Sequence, residues 1–513
     1  MADGRGTSDR LPPDRLGART GTAVSWRAAQ HIGVRLISLV KFLVLARILV
    51  PSDFGLLAIA AVAVDLLVSV TDFGMVTALV QRQRVEPRHY DTAWTVNLTR
   101  SLVIAATLVA VAPLLADLFG EARATQVLQV LALRPMLDAA GSIRVANLTR
   151  ELRFGALFAI RLSSAVADAI VAIGLASSIG VWAAVVGALA GAAVGTTVSY
   201  FVAPYRPRIS FDTQAARSLF RFGRWILLAG ILGVAGDAIL RAVISRRLGA
   251  VDLGIYYVAV RVAILPYEAI SEIVTAVAFP VQALLQDDRA RAARVFRSTL
   301  KAPLAVLIPI YATLVALAEP AVTYLLGERW DGAVPVIRVI AVIAIVGTIY
   351  DSTAAMLQGL GRPQWVAALA AIQLPIVASL AWSFAGTLGV TGAALARLIA
   401  EMAVQVTSAV MATRLLPRPF AGMARPVVAF SVAAGAAAGT SLLVFRSISG
   451  VWGTACGGAA GVTIGAVVLL LVDRAWALGL REDAYKAFPT LSLWLRLAPA
   501  NRRSDEIRDE RSL

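Results

Sequence analysis

A pattern that occurs twice, each time between two long apolar runs, limits the folds open to this chain more than any other feature. Residues 47–55 read RILVPSDFG and residues 246–254 read RRLGAVDLG, so Arg, Leu, Asp and Gly recur in register 199 positions apart. Each joint is short and turn-forming, and stretches of more than about 18 largely apolar residues flank it, which is the length of a transmembrane helix. The repeat therefore predicts an internal duplication that builds two related helical bundles in a membrane.

The composition indicates that most of the chain lies in a lipid membrane. Hydrophobic residues make up 58% of the 513 positions and charged residues 16%, with a mean hydropathy of +0.76. The net charge of +16 comes from small basic clusters between apolar spans, where they orient a membrane protein, so nucleic acid is not an expected partner. With Cys456 as the single cysteine and His31 and His89 as the two histidines, we predict no disulfide, metal site or cofactor.

We predict an all-α integral membrane protein with about 14 transmembrane helices, arranged as two pseudo-symmetric six-helix bundles plus two C-terminal helices. Lys and Arg cluster after every second span, which places both termini in the cytoplasm and supports an even number of spans. The predicted segments are a basic cytoplasmic N-terminal tail (1–22), an N-terminal six-helix bundle (23–203), a cytoplasmic linker (204–220), a C-terminal six-helix bundle (221–413), two extra helices (414–473) and a cytoplasmic C-terminal tail (474–513).

Ionisable side chains inside the predicted spans are the candidates for chemistry. An ionised group at the bilayer centre costs about 2.5–3.5 kcal/mol, so we expect these groups to line a wet cavity between the bundles and not to face lipid. Several recur at helical spacing and share one face of a span. The candidate set is Arg27, His31, Arg35, Arg134, Asp138, Asp237, Arg241, Arg261, Glu268, Glu272, Arg397 and Glu401.

Some of these residues could have a structural role instead of binding substrate or an ion. Four side chains could instead form neutral ion pairs that fix helix packing: Asp237 with Arg241, and Arg397 with Glu401. Arg27 and Arg261 could lie near enough to an interface to extend their guanidinium groups into water. The face that carries Arg27, His31 and Arg35 is the hardest to explain by structure alone, because its own helix holds no acidic residue.

Glycines at every fourth position occur in two of the spans. Small residues at this spacing put a smooth strip on one side of a helix and let another backbone approach closely. We predict that both strips pack against helices of this same chain: Gly187, Gly191 and Gly195 in the first, and Gly457, Gly461 and Gly465 in the second.

Five segments in order along the chain resemble the polysaccharide transporter family, which includes the Wzx-type O-antigen and exopolysaccharide flippases. The family belongs to the multidrug/oligosaccharidyl-lipid/polysaccharide exporter superfamily, and the similarity covers residues 20–475. The segments are ARILVPSDFGL (46–56), TDFGMVTALVQR (71–82), NLTRELRF (147–154), FRFG (220–223, followed by Asp237) and LQGLGRP (357–363).

The resemblance implies a transporter of the bacterial inner membrane that alternates between inward-open and outward-open states. Its substrate would be an undecaprenyl-diphosphate-linked oligosaccharide, moved to the outer leaflet for lipopolysaccharide, exopolysaccharide or capsule biosynthesis. Membrane lipid is a further partner, and a polysaccharide polymerase and export machinery are candidate partners. No covalent step and no catalytic residue are expected, and the absence of a Walker-type phosphate loop argues against ATP hydrolysis by this chain.

Arginine suits a diphosphate because its guanidinium makes forked, charge-assisted hydrogen bonds. The predicted substrate-binding residues are Arg27, His31, Arg35, Arg134, Arg241, Arg261 and Arg397. Membrane potential alone could drive the anion outward, or protons or sodium ions could couple to it through a carboxylate. The predicted coupling-ion residues are Asp237, Glu268, Glu272 and Glu401.

Three alternatives remain at this stage. A multidrug or small-metabolite exporter of the same fold would favour carboxylates and aromatics in its cavity, whereas these spans carry more arginine than acid. A lipid II flippase would carry an Arg-rich motif at the first joint, which residues 50–53 do not match. A membrane glycan polymerase or acyltransferase would show a long external loop or a histidine-centred catalytic set.

Overall fold

The structure, a computed structural model, describes residues 33–71, 87–151, 153–209, 224–286, 288–476 and 480. We label its helices in chain order. They are α1 (33–48), α2 (Pro51–Thr71), α3 (Pro87–Phe119), α4 (Ala124–Leu131), α5 (Leu133–Ala139), α6 (Val145–Arg150), α7 (Phe154–Ile179), α8 (Val181–Val202), α9 (Arg224–Leu248), α10 (Ala250–Ala263), α11 (Leu265–Ala283), α12 (Arg289–Ala316), α13 (Ala318–Ala321), α14 (Ala333–Gly359), α15 (Pro363–Leu415), α16 (Ala424–Ser447) and α17 (Gly450–Trp476).

The fold is all-helical, as the sequence predicts. No β-strand occurs in the ranges that the structure describes. Within those ranges, nine helices are long and apolar enough to cross a membrane, or ten if the bent pair α10 and α11 forms one span. These numbers are compatible with fourteen spans, and the exact count stays a prediction. The chain is therefore a multi-pass helical membrane protein.

The chain divides into two compact units. The first unit contains 1–49, 71–113 and 125–224, and the second contains 50–70, 114–124 and 225–513. In the first unit, α7 packs along α8; in the second, α14 packs against α10, α11, α12 and α15, and α16 packs against α17. The predicted bundle boundaries remain a prediction.

Two of the predicted spans are interrupted at prolines. The predicted span 253–282 is the pair α10 and α11, bent by 48° near Pro266. The predicted span 124–147 is divided into the short helices α4, α5 and the start of α6, with Pro135 in the first turn of α5. Proline has no amide hydrogen to donate to the carbonyl four residues earlier, and its ring clashes with that carbonyl, so a helix tends to break in the turn before it.

One glycine turns the chain sharply inside the longest helix. Pro363–Leu415 spans 53 residues, and Gly389 within it has φ 61° and ψ −148°, outside the helical range. Glycine adopts this backbone conformation at little cost. The helix is interrupted there, so α15 consists of two consecutive helical segments joined at Gly389. The break falls at the start of the predicted span 389–413.

Both glycine strips pack within the chain, as predicted. A β-carbon at Gly191 would lie 2.8 Å from Cβ of Asp168 on α7, and one at Gly187 would lie 2.7 Å from Cβ of Ala172. In the second unit, a β-carbon at Gly461 would lie 2.7 Å from the carbonyl oxygen of Ala437 on α16. The absence of side chains brings each pair of helices into backbone contact.

The two copies of the duplicated joint touch each other inside the second unit. A β-carbon at Gly55 would lie 2.1 Å from the carbonyl oxygen of Ala250, and one at Gly254 would lie 1.8 Å from the carbonyl oxygen of Pro51. Each glycine therefore lies against the backbone that begins the other copy's helix. The side chain of Phe54 in the first joint packs edge-on against the buried Trp330, with 5.1 Å between ring centroids.

We expect Gly254→Ala to destabilise the protein, because the new methyl group would overlap the Pro51 carbonyl. Overpacking of this kind costs about 1–3 kcal/mol. The measurement is thermal unfolding of the purified protein in detergent, followed by tryptophan fluorescence. The matched control is Gly435→Ala, in the membrane helix α16, where a β-carbon meets nothing within 4 Å; its melting temperature should stay equal or rise. Equal melting temperatures for the two variants would contradict the tight joint.

Candidate functional site

Asp237 of α9 is the centre of an ion-pair cluster in the second unit. It accepts a hydrogen bond from Nη1 of Arg397 on α15. Nη2 of Arg241, one helical turn along α9, lies 3.5 Å from the other carboxylate oxygen. The Arg241 side chain is 13% exposed and the Arg397 side chain 27%. Two cations on two helices therefore share one carboxylate.

Aromatic rings surround the same cluster. The guanidinium of Arg241 lies 5.9 Å from the ring centroid of Tyr257 on α10, within the range of a cation–π contact. The buried ring of Tyr256 interacts electrostatically with Arg397. Nη1 of Arg241 also lies 3.5 Å from the carbonyl oxygen of Ala58 in α2. The cluster thus connects α9 to α2, α10 and α15.

A second group of acids follows along α15 and α14. Oε2 of Glu401 accepts a hydrogen bond of 2.7 Å from the amide of Gln373, and Glu401 interacts electrostatically with Arg397. On α14, Asp351 accepts a hydrogen bond of 2.9 Å from the hydroxyl of Tyr267. Asp351 is absent from the predicted set, because it is the single charged residue in the central part of its span and forms no stripe with another.

The first unit holds a polar cavity of about 490 Å³. Its wall contains charged, amide and hydroxyl side chains together with small residues. The polar members are Ser38, Asn97, Arg134, Asp138, Ser142, Arg161, Ser164, Asp168, Thr196 and Ser199. Arg134 and Asp138, both on α5, are 3.8 Å apart and largely exposed to this space. A cavity with two arginines and two carboxylates is polar without a strong net charge.

Asp168, one of the residues that line this cavity, forms an ion pair with Lys41. Nζ of Lys41 on α1 lies 2.7 Å from Oδ2 of Asp168 on α7, and both side chains are 22% exposed. The other carboxylate oxygen of Asp168 is buried against the glycine strip of α8, where it has no hydrogen-bond partner in the described part of the chain. The sequence analysis did not select either residue. The sequence signal that could have identified Asp168 is the glycine strip of α8 together with a single acid near the centre of the preceding helix.

The structure places the predicted site residues as follows. It brings Asp237, Arg241, Arg397 and Glu401 together in the second unit. Arg397 forms its ion pair with Asp237, while Glu401 accepts a hydrogen bond from Gln373 and interacts electrostatically with Arg397. Glu268 is half-buried on α11 and interacts with Tyr311.

The remaining predicted residues are dispersed or not described. Arg134 lines the first unit's cavity, and Arg35 is half-buried on α1. Arg261 is exposed in the last turn of α10. Arg27, His31 and the side chain of Glu272 lie outside the described residues.

Paired charges inside membrane helices and a polar cavity within one unit define the class of this molecule: a multi-pass helical membrane protein built to hold polar groups away from lipid. A family model described as a polysaccharide biosynthesis protein matches residues 44–335, more than half of the chain. The chain belongs to this family.

Individual relatives agree with the family match. The chain is 30% identical over 349 residues to the succinoglycan biosynthesis transport protein ExoT of Rhizobium meliloti strain 1021, covering 68% of this chain and 71% of that protein. It is 25% identical over 353 residues to the lipopolysaccharide biosynthesis protein WzxC of Escherichia coli strain K12, with the same coverages.

Among solved structures, the chain is similar to the lipid II flippase MurJ in its inward closed conformation. The TM-score is 0.69 with 15% sequence identity, and the alignment covers 88% of this chain and 98% of that one. At this identity the likeness shows the fold.

We expect Asp237→Asn to destabilise the protein by about 3–5 kcal/mol, because it leaves two half-buried arginines without their shared counter-ion. Thermal unfolding in detergent measures the effect. The matched control is Glu151→Gln, which breaks an ion pair with Arg153 at 3.7 Å; these two side chains are 56% and 59% exposed, and exposed pairs contribute about 0–1 kcal/mol. A smaller loss for Asp237→Asn than for Glu151→Gln would show that the cluster does not stabilise the fold.

Proposed function

We propose that the protein is a flippase that moves undecaprenyl-diphosphate-linked oligosaccharides across the bacterial inner membrane by alternating access. Membership of the polysaccharide biosynthesis family supports this function, as do the relatives named for succinoglycan transport and lipopolysaccharide biosynthesis. The same evidence favours it over a multidrug or small-metabolite exporter. The product would enter lipopolysaccharide, exopolysaccharide or capsule synthesis.

The exposure of Arg261 is the observation that supports a binding site for the diphosphate head group. It is exposed near the C-terminal end of α10, and none of the residues that the structure describes forms an ion pair with it. In the described part, Arg134, Arg241 and Arg397 each have an acidic partner. A diphosphate needs a cation whose charge is not already compensated, so Arg261 makes the first contact in our proposal.

The remaining arginines act after that contact. We propose that Arg241 and Arg397 hold the pathway in a neutral resting state and that an arriving diphosphate competes with Asp237 for them. Arg35 and Arg134 would extend the contact in the first unit, with Arg27 and His31 beside Arg35 on the same face of the predicted first span. The polyprenyl tail stays in lipid while the sugars cross between polar surfaces.

The driving force for an anion follows from the membrane potential. An inside-negative potential favours outward movement of negative charge by about 2.3 kcal/mol per charge per 100 mV. Glu268, Glu272 and Glu401 remain our candidates for a coupled ion. Asp237 is a weaker one, because the two arginines already compensate its charge in this conformation.

The location and partners follow from the same proposal. Both termini would face the cytoplasm, because basic clusters alternate with apolar spans along the sequence. A polysaccharide polymerase and export machinery would act on the lipid-linked unit after it reaches the outer leaflet. The six-plus-six-plus-two arrangement of spans, with the boundaries given above, belongs to this proposal.

The test is deletion of the gene in its native host, followed by mass spectrometry of polyprenyl-diphosphate oligosaccharides in the membrane. We expect the intermediate to accumulate and the wild-type gene to remove it. Loss of a charged hydrogen bond costs about 1.5–3 kcal/mol, so Arg261→Ala should reduce export about tenfold or more, while Arg261→Lys retains part of it.

The matched control is Arg338→Ala, which removes an exposed arginine near the start of α14. It should export like the wild type at equal protein level. Unchanged surface polysaccharide without accumulation in the deletion strain would contradict the proposed function. Full activity of Arg261→Ala would contradict the proposed head-group site but not the proposed flippase function.

A further inference from the structure

Asp351 differs from the other acids that the structure describes inside the two units' charged clusters. Asp237 has two arginines, and Asp168 has Lys41. The partners that the structure gives Asp351 are the hydroxyls of Tyr267 and Ser271, which both donate to its Oδ2. No basic side chain of the described residues pairs with it. Its second oxygen therefore remains available.

The position of Asp351 is deep in its span. The midpoint of α14 falls at residue 346, so Asp351 lies about 7–8 Å from it along the helix axis at 1.5 Å per residue. A carboxylate at that depth without a counter-ion is costly, whereas the neutral acid is not. Intramembrane acids in this situation bind either a proton or a metal cation.

The charges around the site leave Asp351 uncompensated. Asp237 and Glu401 are balanced by Arg241 and Arg397, two carboxylates against two guanidinium groups. Asp351 is a third carboxyl and interacts electrostatically with Glu401. When both are ionised they repel each other, and a proton on one of them removes the repulsion.

The other elements packed against α14 supply no cation to this site. The ionisable groups that act on Asp351 are Tyr267 of α11, Glu401 of α15 and Tyr350 of α14 itself, all from the described ranges. α10, α12 and α13 also contact α14 and contribute no charged group to Asp351 there. Tyr267 is itself held in place, because its backbone amide donates a hydrogen bond of 3.1 Å to the hydroxyl of Tyr311 on α12.

We propose that Asp351, together with Glu401, forms a proton-binding site in the second unit of the transporter. The ligand is one proton, held on the free oxygen of Asp351 while the hydroxyls of Tyr267 and Ser271 fix the other oxygen. A metal cation is the less favoured occupant, because no group of three or more acidic, histidine or cysteine side chains converges in the described part of the chain. The inference deepens the proposed function by assigning its coupling ion.

Proton exchange at this site would change the charge of the second unit by one without moving the ion pairs of Asp237. Glu401 lies within the electrostatic range of both Arg397 and Asp351 and so couples the two groups. A diphosphate that withdraws Arg397 from the cluster would leave Glu401 less compensated. The resulting negative charge favours proton uptake by Asp351, which couples substrate entry to proton binding.

The test uses the purified full-length protein in detergent and needs no substrate, so its outcome is independent of the proposed function. Infrared difference spectra between about pH 5 and about pH 9, the range in which desolvated carboxyls titrate, report protonated acids by their C=O stretch. We expect the wild type to lose such a band as the pH rises. Asp351→Asn should abolish that change.

Two further variants separate this site from general effects. Asp168→Asn is the matched control, because Asp168 lies in the other unit and has a basic partner, Lys41, at 2.7 Å; its difference spectrum should match that of the wild type. In Tyr267→Phe the ionised form loses one hydrogen-bond donor, so the band should persist to higher pH. A wild type without a pH-dependent carboxyl band would overturn the proposal. So would a band retained in Asp351→Asn, or a change that follows sodium concentration and not pH.

Discussion

Charge neutrality inside helices that face lipid is the constraint on which the second unit depends. Asp237 satisfies it by binding guanidinium groups from two helices, and neither arginine has a comparable acidic partner elsewhere in the described cluster. An ion left alone in such a place costs several kcal/mol, so the carboxylate joins α9 to α15 through its bond with Arg397.

The sequence was sufficient for the class of fold and for part of the cluster. Length and hydropathy identified the helices, and the four-residue spacing of Asp237 and Arg241 put them on one face. The partner from α15 could not be found in this way, because Arg397 lies 160 positions from Asp237 and helical periodicity says nothing about which helices become neighbours. Arg397 and Glu401 share one face of α15 as predicted, but the ion pair that the structure gives Arg397 is with Asp237.

Isolated charges were the weak point of the sequence analysis. A stripe of several ionisable groups attracts attention, but Asp351 and Asp168 are each the single acidic residue of their helix. Their environments come from other helices: two hydroxyls of α11 in one case, Lys41 of α1 in the other. A single acid in an otherwise apolar helix is thus as informative as a cluster, since a long helix does not keep a charge that nothing stabilises.

The contact between the two copies of the joint gives a physical reason for the glycine that both copies contain. Gly55 lies against the start of one copy and Gly254 against the start of the other, so a side chain at either position would collide with the opposite backbone. A residue that faces only lipid can change without disturbing the other copy of the motif. A change at either glycine has to fit both copies, because each copy is part of the other's packing.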